Sequence, residues 1–197
     1  VTSEFPPDLG GVETYSWQLA KELGRRPDLA VTVYAPHKAA TIEPPPGVTL
    51  KPMLSSCMGL DWPRLAQEPI DVWHALSAAH GWLALKAPTV IAVHGNDFLA
   101  PYPLTARPAM NLAGLHRLRP AAWRRLKPLW RQRTRAMLGR ALPRATAIIS
   151  NSHYTAEVLR QHYPACAAKI QVAWVGVDER FFDIPRAPAE PRPQLLT

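Results

Sequence analysis

The chain has 197 residues, of which 47% are hydrophobic, and it carries a formal net charge of +8. This length fits one large domain or two small ones, and the hydrophobic content excludes global disorder. No apolar run reaches the roughly 18–20 residues that span a bilayer, and no secretory leader is visible. The two cysteines, Cys57 and Cys166, form no CxxC pattern. We therefore expect free thiols in a reducing cytoplasm and neither a disulfide framework nor a cysteine-based zinc site.

Apolar strand-like segments alternate with helical segments along the chain. Strands are predicted at 1–3, 31–35, 48–54, 70–76, 89–93, 146–150 and 169–175. Helices are predicted at 11–24, at 78–86, at 104–140 with breaks at Pro108, Pro120 and Pro128, and at about 152–163. This alternation predicts an α/β fold with a Rossmann-like, mostly parallel sheet and helices on both faces.

The two ends of the sequence indicate a piece of a longer protein. The chain opens without Met on a segment typical of a strand end, so we expect a trimmed N-terminus. Prolines accumulate after Asp178, at Pro185, Pro188, Pro191 and Pro193, as in interdomain linkers. We predict one Rossmann-like domain at 1–183, followed at 184–197 by a linker and the start of a further domain.

Three loops are expected at one edge of the sheet, because ligands of parallel sheets bind beyond the carboxyl ends of the strands. These loops are 4–11, 94–98 and 150–153. In the first, Gly10 and Gly11 open a helix whose free N–H groups favour a phosphate, although a plain tight turn explains the same pair. The spacing is neither GxGxxG nor that of a P-loop.

The positive charge is confined to one block. No acidic residue lies between Asp97 and Glu157, whereas eleven Lys and Arg do, and the rest of the chain holds 12 basic and 15 acidic residues. Trp and Leu recur at helical spacing within the block, around Arg124, Arg125, Lys127 and Arg131. This pattern favours an anionic membrane surface or an anionic acceptor as the partner. An ordinary surface helix is the alternative, and nucleic acid is disfavoured because no recognition motif accompanies the charge.

Several motifs, in order along the chain, resemble the N-terminal domain of family-4 retaining glycosyltransferases, which have the two-domain GT-B fold. They are the segments 6–15 (PPDLGGVETY), 71–75 (DVWHA), 149–155 (ISNSHYT) and 175–181 (VGVDERF). In the last segment the family usually has Asn where this chain has Val175. The resemblance covers almost the whole chain and implies the acceptor-side half of such an enzyme.

The resemblance implies roles for several residues. His94 would contact the donor sugar and Asp97 would shape the same loop or touch the acceptor, while Gly10 and Gly11 would bind the donor phosphates. From the residues alone, a histidine that caps the strand is the favoured interpretation of His94, and Ser152 is a helix N-cap with a further role near the ligand phosphate open to it. The seven histidines form no HxH or HExxH pattern, so no metal is expected.

The resemblance implies transfer of a hexose-type sugar from a UDP- or GDP-linked donor to an acceptor hydroxyl, with retention of configuration and without a metal. The expected acceptor is a glycan or a lipid-linked sugar in bacterial cell-surface glycan or glycolipid synthesis. We expect the protein in the cytoplasm or peripherally at the inner membrane. This chain alone should be inactive, because the family's remaining catalytic groups belong to a C-terminal GT-B domain of the same polypeptide. The alternative is a non-catalytic Rossmann-like module that binds anions or glycans.

Overall fold

The computed structural model of the protein describes residues 1–55, 61–95, 97–99, 120–177, 181–183 and 185, with the side chains of 120–127 and 130 outside that description. The strands in these ranges are β1 (Val31–Pro36), β2 (Val48–Leu54), β3 (Trp73–Ala75), β4 (Thr89–Val93), β5 (Ala147–Ser150) and β6 (Ile170–Val172). The α-helices are α1 (Gly11–Gly24), α2 (Trp62–Leu65), α3 (Pro120–Ala141) and α4 (His153–His162). Short 3-10 helices are formed by His37–Thr41, Ala78–Leu85, Leu142–Arg144 and Pro164–Lys169.

The strands form two parallel sheets, β1-β2 and β3-β4-β5-β6, and the opening segment of the chain lies between them. Val1 N donates to the His74 carbonyl at 2.6 Å, and Leu76 N–H donates to the Val1 carbonyl at 3.0 Å. On the other side, Thr2 N–H donates to the Tyr34 carbonyl at 3.1 Å. In a parallel pair, the Thr2 carbonyl would in turn accept the N–H of residue 36. This bond is missing because residue 36 is a proline and has no N–H.

The predicted α/β architecture is confirmed. Across the molecule the order is β2, β1, opening segment, β3, β4, β5, β6, so the order of successive strands reverses between the opening segment and β3. In open parallel sheets, ligands bind beyond the carboxyl ends of the strands at such a topological switch point. We therefore expect a ligand to bind where residues 3–5 and 76–78 leave the sheet.

Both faces of the sheet are covered, as the alternation of side chains along β1 shows. Ala35 packs with Ala20 of α1 and with Phe5 in one buried cluster. Tyr34 points to the opposite face, where its ring lies 5.2 Å from that of Trp73 in a second, larger cluster. Because successive strand residues face opposite sides, these two clusters lie on the two faces of the sheet.

Four details differ from the sequence-based expectation. The predicted strand at 1–3 is not a regular strand, although Val1 and Thr2 form hydrogen bonds towards both sheets. The predicted break at Pro128 is wrong: α3 continues through this residue, because a helix can accept the loss of one backbone hydrogen bond. The segment Ala78–Leu85 is a 3-10 helix. Strands β3 and β6 are shorter than predicted. Pro108 and almost all of 184–197 lie outside the described residues, so the linker and the domain boundary stay predictions.

Candidate functional site

The ends of neighbouring strands place a row of side chains along one edge of the sheet, which we call the carboxyl edge. Val93 of β4 pairs with Ser150 of β5, so His94 and Asn151 follow at the same level on adjacent strands. Ser150 pairs in turn with Val172 of β6. Because adjacent strands lie about 4.8 Å apart, the residues that follow these strands form one continuous row.

His94 lies at the centre of this row and packs against helix α1. Its ring meets the Tyr15 ring edge to face, with the two centroids 4.8 Å apart at 70°. Burial lowers the pKa of His94, and a hydrogen bond to the main chain of Leu76 opposes this shift. Its Nε2 atom is screened from solvent and has no hydrogen-bond partner in the part of the chain that the structure describes. A neutral imidazole in this state can exchange a hydrogen bond with a ligand hydroxyl.

Asp97 belongs to the tight turn that follows His94. Its N–H donates to the His94 carbonyl at 3.3 Å, and Gly95 within the turn has φ +56°, a value that favours glycine. Its Oδ2 accepts the Ala78 N–H at 2.9 Å, whereas Oδ1 has no partner among the described residues. Burial raises the pKa of Asp97 to about 6, and nearby backbone N–H groups oppose the shift.

The loop after β4 is held in place by contacts with α3 and with the end of α4. Phe98 is fully buried, and its carbonyl accepts the Tyr163 hydroxyl at 3.4 Å. Arg135 of α3 donates to the Leu99 carbonyl at 2.9 Å. These contacts fix the turn that carries His94 and Asp97.

The two glycines at the start of α1 differ in what surrounds them. A Cβ at Gly10 would lie 2.3 Å from Oε2 of Glu13, so the Glu13 side chain folds back against Gly10. A Cβ at Gly11 would meet nothing within 4 Å. Of the two glycines, it is Gly11 that has space free of described residues at the position of a Cβ. Tyr15 lies one helical turn further along and links Gly11 to His94.

Carboxylates surround the start of α1. Burial raises the pKa of Glu4, the charge of Glu13 raises it further, and Lys38 opposes both effects. The charge of Glu4 in turn contributes to the raised pKa of Asp97. Lys38 forms an ion pair with Asp8. This end of the edge is therefore negative, and a phosphate here would depend on the N–H groups near Gly11.

Ser152 is the N-cap of α4, as its sequence position predicted. Its Oγ accepts the Thr155 N–H at 3.0 Å and donates to Thr155 Oγ1 at 2.9 Å. The hydroxyl thus has both bonds inside the cap. A second role near a ligand phosphate, which the sequence left open to Ser152, stays open.

Unpartnered polar atoms concentrate at the carboxyl edge. Eight buried side-chain N or O atoms of the described residues have no hydrogen-bond partner. Four of these follow strand ends at this edge, namely Ser77 Oγ, His94 Nε2, Asp97 Oδ1 and Asn151 Oδ1. A buried polar atom without a partner costs about 1–3 kcal/mol, so such a concentration marks groups that a ligand can satisfy.

The basic block forms the exposed surface of α3 and the turn after it, where the side chains are described. Arg131, Arg133, Arg140 and Arg144 are exposed, and none of them pairs with an acidic side chain of the described residues. The side chains of Arg124, Arg125 and Lys127 lie outside the description. No helix within the described ranges is both long enough and apolar enough to cross a bilayer.

Sequence reasoning missed Tyr15, Glu4 and Asn151 as candidate site residues. The spacing Gly11–Tyr15 was a usable signal, because residues four apart lie on one helical face. Glu4 and Asn151 directly follow predicted strand ends, and that position was a second signal. Among the side chains that the structure describes, no three His, Cys, Asp or Glu are grouped to hold a metal ion.

Comparison with protein families agrees with this geometry. The family model of glycosyltransferase family 4 matches residues 9–181, which include α1, all six strands and α4. The chain belongs to glycosyltransferase family 4 and contributes a Rossmann-like domain of that family. None of the curated proteins compared with it matches the chain.

Proposed function

We propose that this chain is the N-terminal, acceptor-side domain of a two-domain retaining glycosyltransferase. It would move a hexose-type sugar from a UDP- or GDP-linked donor to an acceptor hydroxyl in bacterial surface glycan or glycolipid synthesis. The supporting observation is the row of unpartnered polar atoms at the switch point of a family-4 domain. Residues 184–197 would lead into the C-terminal GT-B domain.

Each group at the edge has a definite task in this proposal. His94 Nε2 exchanges a hydrogen bond with a donor-sugar hydroxyl, and Asp97 Oδ1 accepts one from a sugar hydroxyl. Gly11 lets the donor diphosphate approach the first N–H groups of α1, because no Cβ intervenes. Gly10, beside the same N–H groups, leaves room for the Glu13 side chain because it has no Cβ. Such preorganised donors stabilise the charge that develops on the leaving diphosphate.

Donor turnover by the full-length protein tests the proposal. The substrates are UDP- and GDP-linked glucose, galactose, mannose and N-acetylglucosamine, and the readout is release of UDP or GDP. We expect His94→Ala to lower the rate by about 10²–10³-fold. The exposed histidine variant His162→Ala should leave the rate unchanged. Residues 1–197 alone should release no nucleotide.

Two results would contradict the proposal. If the wild-type protein releases nucleotide from none of these donors yet binds glycans, the alternative of a non-catalytic glycan-binding module is correct. If His94→Ala keeps the wild-type rate, His94 has no part in the reaction. The Gly11→Ala variant adds a finer test, because the new methyl group meets none of the described residues within 4 Å and would instead meet a ligand.

We further propose that the basic surface of α3 contacts anionic lipid headgroups and brings a lipid-linked acceptor to the site, with the protein peripheral at the inner membrane. Its exposed arginines lack acidic partners among the described residues, and each Lys or Arg near an anionic surface contributes on the order of 1 kcal/mol. Charge reversal of Arg124, Arg125, Lys127 and Arg131 to Glu should abolish co-sedimentation with phosphatidylglycerol vesicles. Binding that persists, or equal binding to neutral phosphatidylcholine vesicles, would contradict this.

A further inference from the structure

We infer that Trp174, His153 and Asn151 form a subsite for a sugar ring of the acceptor. This inference rests on the proposed function and specifies where its acceptor binds. The occupant is a pyranose ring, whose apolar C–H face would lie on the aromatic pair while its hydroxyl groups reach Asn151.

The aromatic part of the subsite is a preformed and exposed pair. Trp174 is 70% exposed, which is unusual for so large an apolar side chain. The His153 ring meets it edge to face, with the centroids 5.4 Å apart at 72°. Tyr154, the next residue of α4, is 80% exposed. Rings held by each other lose little conformational freedom when a ligand stacks on them.

The position of the pair follows from strand register. Ser150 pairs with Val172, and the Ala173 N–H donates to the Ser150 carbonyl at 2.9 Å. Ala173 is therefore level with Asn151 and His94, and Trp174 is the next residue along the chain, one position beyond this row. The end of β6 lies two strand spacings, about 10 Å, from the end of β4 that carries His94. An acceptor ring at Trp174 would thus be next to a donor sugar at His94.

The polar part of the subsite is Asn151. Its Oδ1 has no hydrogen-bond partner among the described residues and is screened from solvent, so a hydroxyl donor would satisfy it once the side chain turns outward. An apolar protein surface seated on Trp174 would leave this oxygen unpaired. A sugar ring offers both an apolar face and hydroxyl donors, and it matches both halves of the subsite.

Ligand-detected NMR on the full-length protein without donor tests the subsite. The probes are the methyl α- and β-glycosides of glucose, galactose, mannose and N-acetylglucosamine, observed by saturation transfer. We expect at least one glycoside to bind, Trp174→Ala to lower its affinity about tenfold, and Trp174→Phe to retain most of it. Asn151→Ala should give an intermediate loss. The matched control is Leu29→Ala, an exposed apolar residue that precedes β1 at the opposite edge.

The outcomes separate this inference from the proposed function. Absence of binding by all glycosides, or equal binding by wild type and Trp174→Ala, overturns the subsite. If Trp174→Ala lowers the melting temperature and donor turnover together, the aromatic pair is covered by another part of the protein, and the subsite is also overturned. Glycoside binding that depends on Trp174 in a protein without donor turnover supports the subsite and refutes the transferase.

Discussion

Polar groups in the loops before β4, β5 and β6 have hydrogen-bond partners, whereas several polar side-chain atoms at the carboxyl edge have none among the described residues. Before β4, the Thr89 hydroxyl donates to the Ala87 carbonyl at 2.9 Å. Before β5, the Thr146 N–H donates to the Thr89 carbonyl at 2.8 Å. Before β6, Lys169 Nζ donates to the Ala145 carbonyl at 2.6 Å. This amino edge is closed by bonds within the protein.

The difference indicates that the two edges serve different purposes. Pairing at the amino edge stabilises the fold, and substitutions there should lower stability without touching a ligand. At the carboxyl edge the unpaired atoms of His94 and Asp97 reduce stability until a ligand satisfies them. Substitutions there should alter binding and pH behaviour. Substitutions at three positions test this division, beginning with the largest expected effect.

Asp97→Asn should change how stability depends on pH. Burial raises the pKa of Asp97 to about 6, above the unfolded value near 3.8, so its favourable contribution exists at low pH and is lost as the pH rises through 6. Burial also lowers the pKa of His74 to about 4 and that of His80 to about 3, so both destabilise the fold as the pH falls below 6.5. Asp97 therefore opposes the two histidines.

Removing the Asp97 charge should let the histidines dominate. Relative to wild type, the free energy of unfolding of Asp97→Asn should rise by about 2–3 kcal/mol between pH 4 and pH 7. Urea unfolding at pH 4, 5.5 and 7 measures this difference. Asp71→Asn, at an exposed site, is the control and should show a constant difference. A constant difference for Asp97→Asn as well would mean that its carboxyl is not desolvated.

Gly47→Ala should have the next largest effect, and at the amino edge. Gly47 has φ +76°, and a Cβ there would lie 2.1 Å from the Gly24 carbonyl oxygen. We expect the free energy of unfolding to fall by about 2 kcal/mol. Under conditions where the variant is fully folded, its glycoside binding should be unchanged. The control is Gly139→Ala in α3, where the new methyl group meets nothing within 4 Å and should stabilise the helix by up to about 1 kcal/mol. A Gly47→Ala variant that keeps its stability but loses glycoside binding would contradict the division of roles between the two edges.

The fold could be read from the sequence because its signals are local. The apolar run Thr89–Val93 and the helix Gly11–Gly24 have the predicted bounds, since strand and helix periods depend only on neighbouring residues. The site was less accessible, because it depends on register. That Asn151 stands beside His94 follows from pairing between β4 and β5, which are more than fifty residues apart in the chain. The break predicted at Pro128 failed because local propensity does not decide a helix whose other bonds survive.

The roles of the two glycines show the same limit. The sequence presents Gly10 and Gly11 as equivalent. Only the structure shows that the Glu13 side chain fills the space beside Gly10 and leaves the space beside Gly11 open. Similarly, the exposure of Trp174 depends on where the chain turns after β6. These features arise from side-chain placement in three dimensions, which no spacing rule expresses.

Ser152 tests the comparison in a different way, because it lies at the carboxyl edge but its hydroxyl already has hydrogen-bond partners within the protein. Ser152→Ala removes the cap of α4 and should lower the free energy of unfolding by about 1 kcal/mol. Ser152→Asp should keep that stability, because Asp is an equally good N-cap and its charge suits the helix dipole. Thermal unfolding of both variants measures the structural effect.

Donor turnover by the same two variants then separates the two roles of Ser152. If the residue is only a cap, Ser152→Asp turns over donor at the wild-type rate and Ser152→Ala does so once its lower stability is allowed for. If a donor phosphate lies at this helix N-terminus, the added carboxylate repels it, and Ser152→Asp loses turnover while remaining fully folded. We expect the first result, because both hydrogen bonds of the hydroxyl are used within the cap.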